Sequence, residues 1–113
     1  MRGEYTEFRI STVPSNDGTA RIVLEGELDL YTAPELKAAL ADLSDTVRRL
    51  TVDLSGVEFI DSAGLGILVA AARTMRGRDG SIALVGVDHS VHKVFRVTGL
   101  DSWFELTADG LPS

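Results

Sequence analysis

Ser62 is the residue of this chain whose type and setting best suit it to chemistry. It lies in Ile60-Asp61-Ser62-Ala63-Gly64, between a strand-like apolar run and a helix-like one. As a hydrolase nucleophile it would need the elbow G-x-S-x-G, but Ile60 stands where the first glycine belongs. A triad would also need a histidine. Only His89 and His92 exist, and little chain remains for an oxyanion loop and a substrate pocket. Those histidines do not make a metal site with Asp88 either. Helical zinc pairs are four residues apart, whereas these are three apart with no evident third ligand. Surface or capping roles are expected for them. Gly64-Leu65-Gly66 begins like a dinucleotide fingerprint, yet Val69 replaces its third glycine, and no G-x-x-x-x-G-K-[ST] occurs. No enzyme activity, cofactor or metal is expected.

Glu25, Glu27 and Asp29 alternate along a second apolar run. A solvated strand face is the ordinary reading of such a pattern. Asp29, however, sits where strand passes to helix, the same kind of joint as Ser62. Partners of open α/β sheets gather at the carboxyl ends of the strands, so the two joints can face one visitor.

The elements that must hold these residues follow from periodicity. Phe8, Ile10 and Thr12 alternate as a first strand, Pro14-Ser15-Asn16-Asp17-Gly18 is a turn, and Ala20 to Leu28 is a second strand pairing antiparallel with it. Thr32-Ala33-Pro34-Glu35 has the form of a capping box opening a helix with Leu36, Leu40 and Leu43 on its buried face, ended by Ser44-Asp45. Leu50, Val52 and Leu54 alternate as a third strand. Leu65 to Ala72 is apolar without alternation, which predicts a helix buried over most of its surface, with Asp61 and Ser62 supplying N-cap chemistry. Gly64 and Gly66 in its first turn each cost about 0.8–1 kcal/mol relative to alanine. They imply either close backbone packing or an uncluttered approach surface. Ser81 to Val87 is a buried strand. Ser90 is positioned to cap a short helix sharing Val91, Val94 and Phe95 on one face and closing at Gly99. Trp103, Phe104 and Leu106 make a last strand. The reading is α/β, in the order β-β-α-β-α-β-α-β, with a mixed and mostly parallel sheet. Residues 1–113 form a single domain whose core spans about 6–107, with fraying ends.

Composition narrows the function further. The chain has 113 residues, a net charge of −6 and no cysteine, which excludes disulfides and thiolate chemistry. Its basic residues are scattered, the nearest to a cluster being Arg73, Arg76 and Arg78, which suit the negative end of a helix. Direct nucleic-acid binding is not expected. The N-terminus has no signal-like core and no apolar run could span a bilayer, so a cytoplasmic protein without membrane contact is expected.

As a set, three stretches carry a resemblance. Val52-Asp53-Leu54-Ser55-Gly56-Val57 with Phe59-Ile60-Asp61-Ser62-Ala63-Gly64-Leu65-Gly66 resembles the signature of STAS-domain anti-sigma-factor antagonists of bacteria. Gly26-Glu27-Leu28-Asp29 with Thr32-Ala33-Pro34 is similar to that family's first motif, and Val94 to Leu100 to its late helix and turn. The resemblance implies a binding protein for an anti-sigma factor that is itself a serine kinase. The kinase would phosphorylate Ser62, and a separate phosphatase of the PP2C type would restore it. Only the unphosphorylated form would sequester the anti-sigma factor and free its sigma factor. Asp29, Thr32, Asp61, Ser62, Ala63, Gly64, Leu65 and Gly66 are the implied contact residues. Ala63 stands where the family often has serine or threonine, which removes an alternative acceptor. STAS-only proteins also serve as accessory subunits of lipid-transport or stress-scaffold complexes. The physics of the joint suits a switch. A phosphate at a helix start meets free N–H groups and the positive dipole end and adds about −1.5 to −2 charge.

Overall fold

Every second residue of Thr19–Leu28 is buried, from Ala20 through Ile22, Leu24 and Gly26 to Leu28, so the sequence alternation is a strand with one face on the core. The computed structural model describes residues 7–14 and 17–107. The expectations for the N-terminal residues 1–6, for Ser15 and Asn16 in the turn, and for the tail after Thr107 lie outside that range. The element order is β1 (Arg9–Pro14), β2 (Thr19–Leu28), α1 (Ala33–Ala41), β3 (Arg49–Ile60), α2 (Ser62–Gly77), β4 (Ser81–Val85), α3 (His89–Thr98), a 3-10 turn (Leu100–Trp103) and β5 (Glu105–Leu106). This is the expected order with the 3-10 turn added.

The five strands form one sheet ordered β1-β2-β3-β4-β5. β1 is antiparallel to β2 and the other neighbours are parallel. Strand order thus follows chain order, and successive right-handed crossovers lay every helix on the same face. Accordingly Leu36 of α1, Leu68 of α2 and Phe95 of α3 share one apolar cluster with Ile22, Leu24, Val52 and Leu84. Phe104 closes that cluster edge-on to Phe95, with ring centroids 5.3 Å apart.

The opposite face carries Arg21 and Asp53, joined by a 2.8 Å ion pair. Partial burial pushes the Asp53 carboxyl up. Hydrogen bonds from the Ser55 hydroxyl and N–H, and the Arg21 guanidinium, outweigh burial and hold it below the usual carboxylate range. A depressed carboxyl contributes stability that is present above its unfolded value, near about 3.9, and is lost as pH falls through the lower folded value. Asp53→Asn is therefore expected to flatten the acid limb of a Tm-against-pH curve below about pH 4. An acid limb as steep as in the parent would show that Asp53 does not contribute.

Several local expectations are corrected. Thr32 precedes α1 but makes no side-chain cap, and its backbone is already helical, so the Thr32–Glu35 capping box does not form. α1 ends at Ala41, before Ser44-Asp45. Leu36 is buried, Leu40 is half-buried, and Leu43 lies past the helix end, also half-buried. α2 is not buried over most of its surface. Its buried stripe is Gly64, Leu68, Ala71, Ala72 and Met75, while Gly66, Ala70 and Arg73 are exposed. Glycine and alanine make that outer face apolar in type without exposing much hydrocarbon. β4 stops at Val85, because Gly86 turns the chain at φ 69°. Asp88 caps α3 in place of Ser90, accepting from the Val91 N–H at 2.9 Å. Gly99 does end α3 in the left-handed conformation, at φ 77°.

The arginine trio has structural partners. Arg76 lies in the last turn of α2 with its guanidinium 3.8 Å from the centre of the Trp103 ring. Arg78 donates to the Ser44 and Val47 carbonyls. Among the described residues no helix is long and apolar enough to cross a membrane.

Candidate functional site

The parallel strands β2 and β3 deliver Asp29 and Asp61 to the same edge of the sheet, the carboxyl end. The Asp61 N–H donates to the Leu28 carbonyl at 3.1 Å, which brings the two joints together. The Asp61 carboxylate then serves both. One oxygen, Oδ1, accepts from the N–H groups of Ala63 and Gly64 at 2.9 and 3.0 Å, capping α2. The other, Oδ2, accepts from the Leu30 N–H of the neighbouring loop at 3.1 Å. Asp61→Ala is expected to cost about 1–2 kcal/mol through the lost cap, and more if the Leu30 N–H is left unpaired. Asp61→Asn, which keeps an acceptor oxygen, should cost less. Chemical denaturation checks both, and equal losses would show that the cap does not matter.

Asp29 and Thr32 shape the first joint. Asp29 Oδ1 accepts from the N–H groups of Tyr31 and Thr32 at 2.9 and 3.1 Å, an aspartate turn of the kind that mimics backbone. Thr32 Oγ1 lies 2.7 Å from the Glu27 carbonyl, to which it donates, and accepts from the Asp29 N–H at 2.9 Å. These side chains hold the loop that presents Leu30 and Tyr31.

Ser62 is the first residue of α2 and is exposed. It is not the cap, which is Asp61. Its hydroxyl has no hydrogen-bond partner among the described residues. A phosphate placed on it would not find the helix start empty, because Asp61 already occupies the Ala63 and Gly64 N–H groups. The added charge would stay at the surface.

The two glycines divide the roles that the sequence left open. A Cβ on Gly64 would lie 2.7 Å from Leu28 Cγ and 2.8 Å from the Leu28 carbonyl oxygen. Gly64 is therefore a packing residue, buried against β2, and not an approach surface. A Cβ on Gly66 would meet nothing within 4 Å. Clearance at the start of α2 comes from Gly66, with Ala63 and Leu65 half-buried beside it.

Sequence reasoning missed the apolar residues around this site. Leu30, Tyr31 and Phe59 are 64%, 84% and 50% exposed. Their signal was three large apolar residues beside polar joint residues, but strand ends with that composition are often buried. The carboxylates of the joints were read from the sequence, but the gaps in basic residues around them were not. No Lys or Arg occurs between Arg21 and Lys37, Arg49 and Arg73, or Arg78 and Lys93. Those intervals supply the carboxyl-end loops after β2, β3 and β4, so among the described residues Asp29, Asp61 and Asp88 have no lysine or arginine on their own loops. Hydrogen bonds from the Val91 N–H and the Ser90 hydroxyl hold the Asp88 carboxyl below its usual range. The described residues contain no group of histidines and carboxylates able to hold a metal ion.

The family model for "Mlab, STAS domain" matches residues 11–108. The chain belongs to the STAS-domain family. Among curated STAS relatives, the anti-sigma-B factor antagonist of Listeria monocytogenes is 36% identical over 87 residues, covering 75% of each chain. The antagonist of the same name from Staphylococcus aureus is 33% identical over 87 residues, covering 76% of this chain and 81% of the other. Among solved structures, an anti-sigma factor antagonist from Mycobacterium paratuberculosis superposes with a TM-score of 0.73 at 35% identity, covering 88% of this chain and 86% of that one. The fold class expected from the sequence is the one these STAS domains share.

Proposed function

We propose that this STAS domain is an anti-sigma-factor antagonist whose unphosphorylated form binds a serine-kinase anti-sigma factor and frees its sigma factor. Phosphorylation of Ser62 turns binding off, and a PP2C-type phosphatase restores it. The observation that carries the reading is the exposed Ser62 hydroxyl, without a partner among the described residues, on a helix start capped by Asp61 and tied by it to the neighbouring Asp29 joint. That the relatives at 33–36% identity are named antagonists supports it. No base on this chain is needed, since the kinase supplies the chemistry. Asp29 and Thr32 shape the loop, Asp61 fixes its distance from Ser62, and Gly66 leaves the approach clear. Ala63, Leu65 and Gly66 complete the contact surface.

The test is phosphate transfer. Each kinase-type anti-sigma factor encoded in the source genome is incubated with the protein and magnesium ATP, and the product is mapped by mass spectrometry. Phosphate on Ser62, absent from Ser62→Ala, is the expected result. Transfer to another residue, or equal transfer to the mutant, overturns the assignment of Ser62.

The accessory-subunit reading draws on the family model's description, "Mlab, STAS domain". A pull-down that recovers transporter components and no anti-sigma factor would favour it.

A further inference from the structure

α1 and α2 start at the same edge of the sheet and run the same way, because each follows one of the parallel strands β2 and β3. They differ in length, 9 residues against 16. At 1.5 Å per residue α2 outruns α1 by about 10 Å, and the loop after Ala41 passes beside its end, where Arg78 holds the Ser44 and Val47 carbonyls. A cavity of about 400 Å³ lies along this seam, with Leu40, Leu43, Ile67, Ala70, Ala71 and Met75 among its walls. That volume is within the range of small-molecule sites, about 300–1,000 Å³. From Ile67 to Arg78 the lining extends about 16 Å along α2, so the space is a narrow trough that suits one extended chain better than a ring system. Its polar groups are few and mostly engaged. Thr74 Oγ1 donates to the Ala70 carbonyl at 3.1 Å. Arg78 lies at the same end as Asp45, between the two carbonyls it binds, so the charges there offset. Lys37 is different. It is exposed, lines the end nearer the joints, and has no hydrogen bond or ion pair among the described residues. No carboxylate stands three or four residues from it on α1 to neutralise it.

We infer that this trough binds a single-chain aliphatic carboxylate, its head on the Lys37 ammonium and its chain laid between α1 and α2 toward Met75. The apolar walls take the chain by burial, and the one uncompensated cation fixes its direction. A two-chain lipid exceeds the volume. A nucleotide would find a single free cation for several negative charges, and walls with few hydrogen-bonding groups for its base. Ser62 lies outside the trough, and the site does not depend on the function proposed above.

Titration of the full chain with decanoate, kept below micelle-forming concentrations and followed by amide and methyl NMR, tests it. The expected result is saturable one-to-one binding with the largest shifts at Leu40, Ile67, Ala70 and Met75. The melting temperature should rise with decanoate concentration, because a ligand that binds only the folded state stabilises it. Lys37→Glu replaces attraction by repulsion and should weaken binding by about tenfold or more. Decyltrimethylammonium, with the same chain and the opposite charge, should bind the parent more weakly by a similar factor. Ala70→Phe fills the trough from α2 and should abolish saturable binding; Ala41→Phe repeats that test from α1. All three positions are exposed, so the unliganded variants should melt near the parent. No saturation by the parent, shifts centred outside the trough, or binding to phosphatidylglycerol vesicles without binding to decanoate would each overturn the site. Parent-like affinity in Lys37→Glu would overturn the carboxylate as its ligand.

Discussion

Gly64→Val is expected to lower stability by about 3 kcal/mol or more, the upper range for forcing bulk into a packed site. The reason is the partner that the new side chain meets. Its Cβ would lie 2.8 Å from the Leu28 carbonyl oxygen, and that oxygen already accepts from the Asp61 N–H. Leu28 is fully buried and cannot swing aside. Relief requires moving α2 away from β2, which breaks the bond that unites the two joints. For a domain of this size the loss corresponds to a Tm lower by about 13 °C or more. Gly66→Val should behave in the opposite way. Nothing lies within 4 Å of its Cβ, and valine is no worse than glycine in a helix, so Tm should hold. Under the proposed function its partner affinity should fall, since the side chain stands one turn from Ser62 on the exposed surface. Melting curves for the pair decide the matter: a stable Gly64→Val or an unfolded Gly66→Val would reverse the assignment of the two glycines.

The second large effect is expected at Ser62. Phosphorylation should reduce anti-sigma-factor affinity by about a hundredfold or more, equivalent to about 2.8 kcal/mol, while Tm changes little. Among the described residues the loops after β2 and β3 hold no lysine or arginine to receive the new charge, and Asp61 already fills the capping N–H groups. A partner covering Ser62 must therefore desolvate about −1.5 to −2 charge beside existing carboxylates. Ser62→Asp should reproduce part of the loss, and Ser62→Ala should bind as the unmodified protein does. Calorimetric titration of the four forms provides the check. Tight binding by the phosphoprotein would rule out the switch, and a large Tm drop on phosphorylation would place its effect in folding instead.

The first of these predictions separates two roles that the local sequence left open. Two glycines two residues apart in a helix start read alike in a sequence, because the signal is only the missing side chain. Which one faces β2 depends on how α2 docks. The N-caps behaved similarly. Thr32 and Ser90 had the right residue type at the right offset, but Thr32 was drawn to the Glu27 carbonyl and the Asp29 N–H, and Asp88 reached the Val91 N–H first. Local capping competes with other nearby donors and acceptors, and a one-residue shift changes the winner.

The sequence by itself determined the element order, the mixed sheet and the Asp61–Ser62 joint, because period-two alternation, an apolar helical run and turn residues are local signals. Tertiary structure alone decided that Asp61 bridges the two joints, that Gly64 packs while Gly66 stands clear, and that Leu30, Tyr31, Phe59 and Val94 are exposed. Those facts depend on distances between segments far apart in the chain. A residue's type reports its propensity, but its neighbours across the fold decide whether it packs, caps or faces a partner.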